Sequence, residues 1–276
     1  SRGKTAKART AARRSAPAVD GGIRITVEQA VARVRAGKTV IVVDDAHREN
    51  EGDLIFAAEK ATPEMVNFAL VHGRGILCAP MEPQEAERVG LELMVEHNTA
   101  KYGTPFTESV DARRGTTTGT SAFDRARTLR VLADGRSRSR HLVRPGHVFP
   151  LRAVPGGVLR RAGHTEAAVD LAQLAGLSPA GALCELMNED GTMMRAPQCR
   201  AFADEHGLVF VSIADLVRYR RRHDKLVEQT ADARLPTEWG EFRCHSYESV
   251  LDGETHLAFV VGDVAGDVDT VPAALC

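Results

Sequence analysis

TVIVVDDAHRENEGD, residues 39–53, is the stretch on which the fold turns. Its first half, Thr39 to Val43, is a β-branched run without polar alternation, the pattern of a strand buried on both faces. It then becomes abruptly polar, with Asp44, Asp45, Arg48, Glu49, Asn50, Glu51, Gly52 and Asp53 in close succession. In open α/β sheets ligands gather at the carboxyl ends of strands, so this boundary is a candidate site. Hard oxygen donors of this kind suit Mg2+ or Mn2+. Taken alone, the loop reads more simply as a solvated acidic turn, as most charge-rich loops are.

Outward from this stretch, helical and strand periodicities alternate. Upstream, Val27, Ala30, Val31 and Val34 lie on one helical face that Gly37 ends. Downstream, the pattern predicts a strand from Leu54 to Ala57, a helix opened by Thr62-Pro63 and running to about His72, a strand from Gly75 to Ala79 and an acidic helix near Gln84 to Val89. Helices follow from about Ser121 to Asp134 and from Thr165 to Ala175, then a strand from Ala182 to Met187, a helix through Phe202 and a strand from Leu208 to Val211. Ser212, with Asp215 three residues on, opens a last helix that closes in the charged run Arg218 to Lys225. This interleaving predicts the α/β class, a single large mixed α/β domain over residues 23–226. A polar linker is expected from Lys225 to about residue 232. Phe242 to Tyr247 and His256 to Val261 then read as strands of a short, partly β C-terminal extension, residues 232–276, too small to bury a core alone.

Residues 1–22 carry six Lys or Arg before Asp20 without apolar periodicity, and read as a basic disordered tail or, more sharply, as a targeting leader. The 276 residues are 43% hydrophobic and 26% charged, a globular composition that excludes collagen-like, disordered and disulfide-scaffold classes. No apolar run approaches the roughly 18 residues that span a bilayer, so no membrane partner is expected. A net charge of −1 draws the chain toward neither nucleic acid nor anionic lipid. Five widely spaced cysteines without a C-x-x-C pair read as a reducing cytoplasmic setting, with Cys78 and Cys184 as buried hydrophobes.

A second candidate is Arg160-Arg161-Ala162-Gly163-His164-Thr165-Glu166, just ahead of an apolar-periodic helix. Gly163 permits close backbone approach, the helix start offers free N–H groups and Arg161 a forked cation, which together would hold a phosphate. His164 suits metal ligation or proton transfer. A capped helix start with surface arginines fits the segment equally well. Further candidates are Arg144-Pro145-Gly146-His147, the Gly115 to Ser121 stretch, and Glu185, which inside an apolar strand is either paired or working. Arg125, Arg127, Arg130, Arg136, Arg138 and Arg140 form a basic stretch, but without interleaved aromatics it is a weak nucleic-acid signal.

Taken together, Asp44-Asp45 with Arg48 to Asp53, Gly75 to Cys78, Asn98 with Tyr102-Gly103-Thr104, Thr117 to Arg125, Arg144 to His147 and Gly163 to Glu166 resemble, in order, the 3,4-dihydroxy-2-butanone 4-phosphate synthases of riboflavin biosynthesis. Residues 232–276, with Leu235-Pro236-Thr237 and Trp239-Gly240-Glu241-Phe242, resemble the opening of GTP cyclohydrolase II, stopping before that family's cysteine zinc motif. The resemblance implies conversion of D-ribulose 5-phosphate to L-3,4-dihydroxybutan-2-one 4-phosphate and formate by metal-stabilised enediolate chemistry. It implies Mg2+ or Mn2+, two ions per site, no organic cofactor, a small sugar phosphate as partner, no nucleic acid and a homodimer. Carried over, Glu49 and His164 are metal ligands, and His147, Glu185 and Asp53 catalytic. Arg48, Glu49, Asp53, Arg161, Ala162, Gly163, His164, Thr165 and Glu185 contact substrate. Arg74 and Ala162 depart from the small residue and the glycine common at those places. A different metal-dependent sugar-phosphate isomerase or aldolase would need the same groups, and a degenerate RNA-binding core is the non-enzyme alternative.

Overall fold

In the computed structural model, which describes residues 26–262, Thr26 opens α1 (Val27–Arg35) with a reciprocal cap. Its hydroxyl accepts the Gln29 N–H while the Gln29 side chain accepts its own, satisfying two otherwise orphaned donors. Val27, Ala30, Val31 and Val34 face inward, as their spacing predicts. The next element, β1 (Val40–Val43), is buried throughout. Alternation sends Val40 and Val42 to one side of the sheet and Ile41 and Val43 to the other, so both faces must be covered.

Seven strands make that sheet. Besides β1 they are β2 (Gly52–Ala57), β3 (Cys78–Met81), β4 (Val110–Ala112), β5 (Leu142–Arg152), β6 (Gly181–Glu185) and β7 (Val209–Ser212), in the order β4-β5-β3-β6-β2-β1-β7. β1 and β7 run parallel, as do β3 and β5, and the other neighbours are antiparallel. α2 (Pro63–Phe68), α4 (Ala122–Ala133) and α6 (Ala196–His206) cover one face. α1, α5 (His164–Leu174) and α7 (Ile213–His223) cover the other. α3 (Pro83–Arg88) joins the first layer through Ala86. Fully buried side chains such as Ile41, Leu54, Phe56 and Leu171 each contribute about 1.5–3 kcal/mol by leaving water.

Some expectations fail locally. The helix opened by Thr62 keeps α-geometry only to Phe68 and widens into a π-turn over Ala69–Gly73, after which Arg74 is left-handed at φ 70°. The strand expected from Gly75 starts at Cys78, because Gly75 and Ile76 wrap around the Glu185 side chain. β4 and β5 are absent from the sequence reading, since Pro145, Gly146 and Pro150 look like turn residues. In β5, Gly146 lies so close to the Val110 backbone that any Cβ would overlap it.

The linker expected from Lys225 to residue 232 is not one. Residues Val227–Thr237 form β8, paired in antiparallel register with β9 (Gly240–Ser249), which pairs with β10 (Thr255–Val260). Its polar composition reflects exposure of both faces, while the ladder satisfies the backbone. The strands expected around Phe242 to Tyr247 and His256 to Val261 match β9 and β10 closely. The basic tail, residues 1–22, the end of the extension and Cys276 lie outside the described residues. No helix among the described residues is long and apolar enough to cross a membrane. Cys78, Cys184 and Cys199 are buried free thiols, and burial pushes Cys184 and Cys199 up to about 12, so neither ionises readily.

Candidate active site

Antiparallel pairing of β2 with β6 sets Asp53 opposite Glu185. The loop from Asp44 to Glu51, which joins β1 to β2, folds back over this pair. Its geometry is fixed by Asp44, whose carboxylate accepts the N–H groups of Glu49 at 3.0 Å and Glu51 at 2.9 Å and a guanidinium N–H of Arg48 at 3.0 Å. Asn50 takes the left-handed turn at φ 56°, and Arg195 holds the carbonyls of Glu49 and Asn50 at 3.0 and 2.6 Å. The Tyr102 hydroxyl donates to the Arg48 carbonyl at 2.8 Å.

Into this acidic hollow α5 inserts His164, its first residue. His164 Nδ1 lies 3.5 Å from Glu49 Oε2 and 3.8 Å from Asp53 Oδ2. Donor atoms of Asp44, Glu49 and His164 all lie within 4.8 Å of one another. Of the three buried side-chain polar atoms that lack a hydrogen-bond partner among the described residues, two are here: Asp53 Oδ1 and His164 Nε2. Leaving such atoms unpaired costs about 1–3 kcal/mol each unless something else binds them. A divalent cation coordinated by carboxylate oxygen and imidazole nitrogen would do so, and the donor set fits Mg2+ or Mn2+. Asp44 was not among the ligands expected from sequence; since both its oxygens already accept hydrogen bonds, its role is to shape the loop.

The electrostatics reflect this crowding. Burial pushes the Asp53 carboxyl up to about 7, with His164 opposing and Glu185, Glu49 and Glu51 adding to the rise. Burial would depress His164, but the charges of Asp53, Glu49 and Asp44 hold it up to about 9. Glu49 stays below its usual value despite burial, through His164 and Arg48, whose Nη1 donates to it at 2.5 Å. Glu185 has an anchor of its own: one oxygen accepts the Ile76 N–H at 2.7 Å, and a Cβ on Gly75 would overlap that oxygen.

Beside the hollow, Gly163 caps α5. A Cβ there would lie 2.6 Å from Arg161 Nη1, 2.8 Å from Glu166 Oε2 and 3.0 Å from Arg48 Nη2, so two guanidinium groups converge on this glycine. Arg161 is partly committed, giving Nη1 to the fully buried Glu166 at 2.7 Å and Nη2 to the Tyr102 carbonyl at 3.0 Å. The free N–H groups of the helix start and two cations form a cradle for an anion. Ala162 and Thr165 flank this turn, Thr165 buried in the first turn of α5. The quoted sequence cluster contained Glu166, but only its burial reveals it as Arg161's counter-ion.

His147 stands apart. On β5, its Nδ1 lies 2.8 Å from Asp111 Oδ2 on β4 and its N–H donates to Asp111 Oδ1 at 2.9 Å. Among the described residues no hydrogen bond or ion pair joins this pair to Glu49, Asp53, His164 or Glu185. The Gly115 to Ser121 stretch reaches it through Gly119, whose Cβ would lie 2.6 Å from His147 Nδ1. Asp124 orders that loop by accepting the N–H groups of Thr117 and Gly119 and the Thr117 hydroxyl. Asp111 was not expected from sequence, where nothing marks it as the partner of a histidine 36 residues on.

Comparison with known proteins follows these lines. The family model for 3,4-dihydroxy-2-butanone 4-phosphate synthase matches residues 28–219, and that for GTP cyclohydrolase II matches residues 228–273. The chain is 56% identical over 246 residues to the riboflavin biosynthesis protein RibBA of Salinispora arenicola, covering 89% of this chain and 59% of that protein. It is 55% identical to RibBA of Mycobacterium bovis, over 87% of this chain and 57% of that one. It thus spans less than three-fifths of the length of these curated relatives. Among solved structures it resembles RibBX, a two-domain 3,4-dihydroxy-2-butanone 4-phosphate synthase from A. baumannii, with TM-score 0.78 and 44% identity over 86% of this chain and 70% of that one. It also resembles a 3,4-dihydroxy-2-butanone 4-phosphate synthase in complex with two magnesium ions, with TM-score 0.70 and 41% identity over 72% of this chain and 98% of that one.

Proposed function

The chain belongs to the 3,4-dihydroxy-2-butanone 4-phosphate synthase family, and from that premise we propose that it converts D-ribulose 5-phosphate to L-3,4-dihydroxybutan-2-one 4-phosphate and formate in riboflavin biosynthesis. The observation that carries this reading is the pair of unsatisfied buried atoms, Asp53 Oδ1 and His164 Nε2, beside a cradle of two guanidinium groups and a helix start. One part suits a cation with the ketose oxygens, the other a phosphate. Glu49 and His164 would hold Mg2+ or Mn2+, two ions per site, with no organic cofactor; a solved relative is in complex with two magnesium ions. The metal supplies Lewis-acid stabilisation of negative charge on the ketose oxygens. Arg48, Arg161, Ala162, Gly163 and Thr165 hold the phosphate and so orient the sugar. Asp53, whose carboxyl burial pushes above its usual value, is the group that takes and returns a carbon-bound proton. Glu185 and His147 are the other catalytic groups, with Asp111 fixing the His147 ring.

The enzyme works as a cytoplasmic homodimer, two-fold closure being the commonest assembly. Its synthase domain spans residues 23–226, followed by a cyclohydrolase-like segment over 232–276. Purified protein incubated with ribulose 5-phosphate and Mg2+ should release formate, and Glu49→Gln or His164→Ala should lose far more rate than the 10–100-fold, roughly, of a change behind the ligands. Parent-like turnover in either variant at saturating Mg2+ would refute the assignment.

A further inference from the structure

We propose that the basic groove along α4 is a binding site for an oligophosphate, the chemistry shared by inorganic polyphosphate and the tail of a nucleoside triphosphate. A groove of about 570 Å³ is lined by Arg113, Arg114, Arg127, Arg130, Arg136 and Arg140. In a chain whose net charge is −1, six guanidinium groups on one concavity are a strong local departure. The only carboxylate in the lining is Asp134, and it is committed to Arg136 at 3.1 Å.

The other arginines are oriented by backbone carbonyls, which leave their charge uncompensated. Arg113 donates to the carbonyls of Arg140 at 2.8 Å and Leu142 at 3.1 Å, Arg127 to that of Arg114 at 3.4 Å and Arg130 to that of Ala61 at 2.8 Å. Each keeps further N–H groups for a ligand, since a guanidinium carries five. The side chains of Arg114 and Arg140 make no hydrogen bond or ion pair among the described residues and stand exposed at the rim. Like charges held this closely repel unless an anion joins them, and a single phosphate would neutralise too few. The fork geometry favours phosphate over a lone carboxylate or chloride. The one aromatic ring in the lining is His141, held through its Nδ1 by the Arg138 N–H at 3.1 Å, and no Phe, Tyr or Trp among the described residues lines the groove to stack successive bases, which argues against nucleic acid. None of these arginines bonds to the Asp44, Glu49, Asp53 and His164 hollow, so the site does not depend on the function proposed above.

The test is calorimetric titration of the full chain with sodium tripolyphosphate in EDTA, with ATP, GTP and a short single-stranded RNA as parallel titrants. Saturable binding should disappear near 1 M NaCl, where the screening length is about 3 Å. It should weaken at least about tenfold in Arg127→Ala/Arg140→Ala, on the scale of one lost charge-assisted hydrogen bond. Arg114→Ala, whose side chain supports nothing in the fold, serves if the double variant is unstable. Equal affinity for ATP, GTP and tripolyphosphate supports the site with a nucleotide as source, and tighter tripolyphosphate supports it with the inorganic chain. Absence of saturable binding, loss of binding in Arg161→Ala alone, or RNA binding more than about tenfold tighter than tripolyphosphate would overturn the proposal.

Discussion

Arg161 shows why a single side chain needs both its partners counted. Read as a phosphate contact, its removal should raise KM and leave kcat little changed, because a phosphate remote from the reacting carbons contributes nearly uniform binding. The structure adds a second consequence, since Glu166 is fully buried and Arg161 is its only cationic partner among the described residues. Its other oxygen accepts the Val154 N–H at 3.1 Å, so removing the cation leaves a half-supported buried carboxylate. Truncating one member of such a pair typically costs about 3–5 kcal/mol. Arg161→Ala should therefore raise KM and also lower the melting temperature. Arg161→Ala/Glu166→Gln should recover most of the stability while KM stays high. Recovery of KM along with stability would mean that Arg161 acts only by holding the fold.

At the scale of an element, the β4–β5 pair exists to hold a histidine. Gly146 touches the Val110 backbone, the register shifts between Val110 and Asp111, and this offset lets one carboxylate take both the His147 N–H and its ring. The three atoms nearest a methyl group at Gly146 all belong to the Val110–Asp111 peptide, within 2.3 Å, so the overlap is with backbone and not with the end of a flexible side chain. Gly146→Ala should thus cost at least about 2 kcal/mol by overpacking and reduce synthase turnover through the displaced ring. Urea unfolding and formate release measure the two effects, and an unchanged unfolding midpoint would show that the strands part without cost. Gly75 plays the corresponding part for Glu185 on the other side of β3.

At the scale of the whole molecule, the described residues form a seven-stranded α/β/α layer structure and a small sheet of β8, β9 and β10 with mostly exposed faces. The small sheet reaches the large body through limited contacts, among them Arg160 to Asp252 at 3.5 Å. Deleting residues 227–276 should leave formate release from ribulose 5-phosphate within about twofold of the parent, since exposed pairs contribute at most about 1 kcal/mol. A collapse of activity on deletion would place the small sheet in the synthase fold. What the sequence determined by itself is the layering and the two polar loops. The apolar run Thr39 to Val43 requires cover on both faces, and the residues 44–53 and 160–166 can only lie at element ends, because those properties follow from local periodicity. Two things were decided only by tertiary structure: that Asp53 and His164 meet with unsatisfied atoms, and that Asp111 holds His147. Each joins residues distant along the chain, and their distance in space is set by strand order and register, which no local pattern encodes.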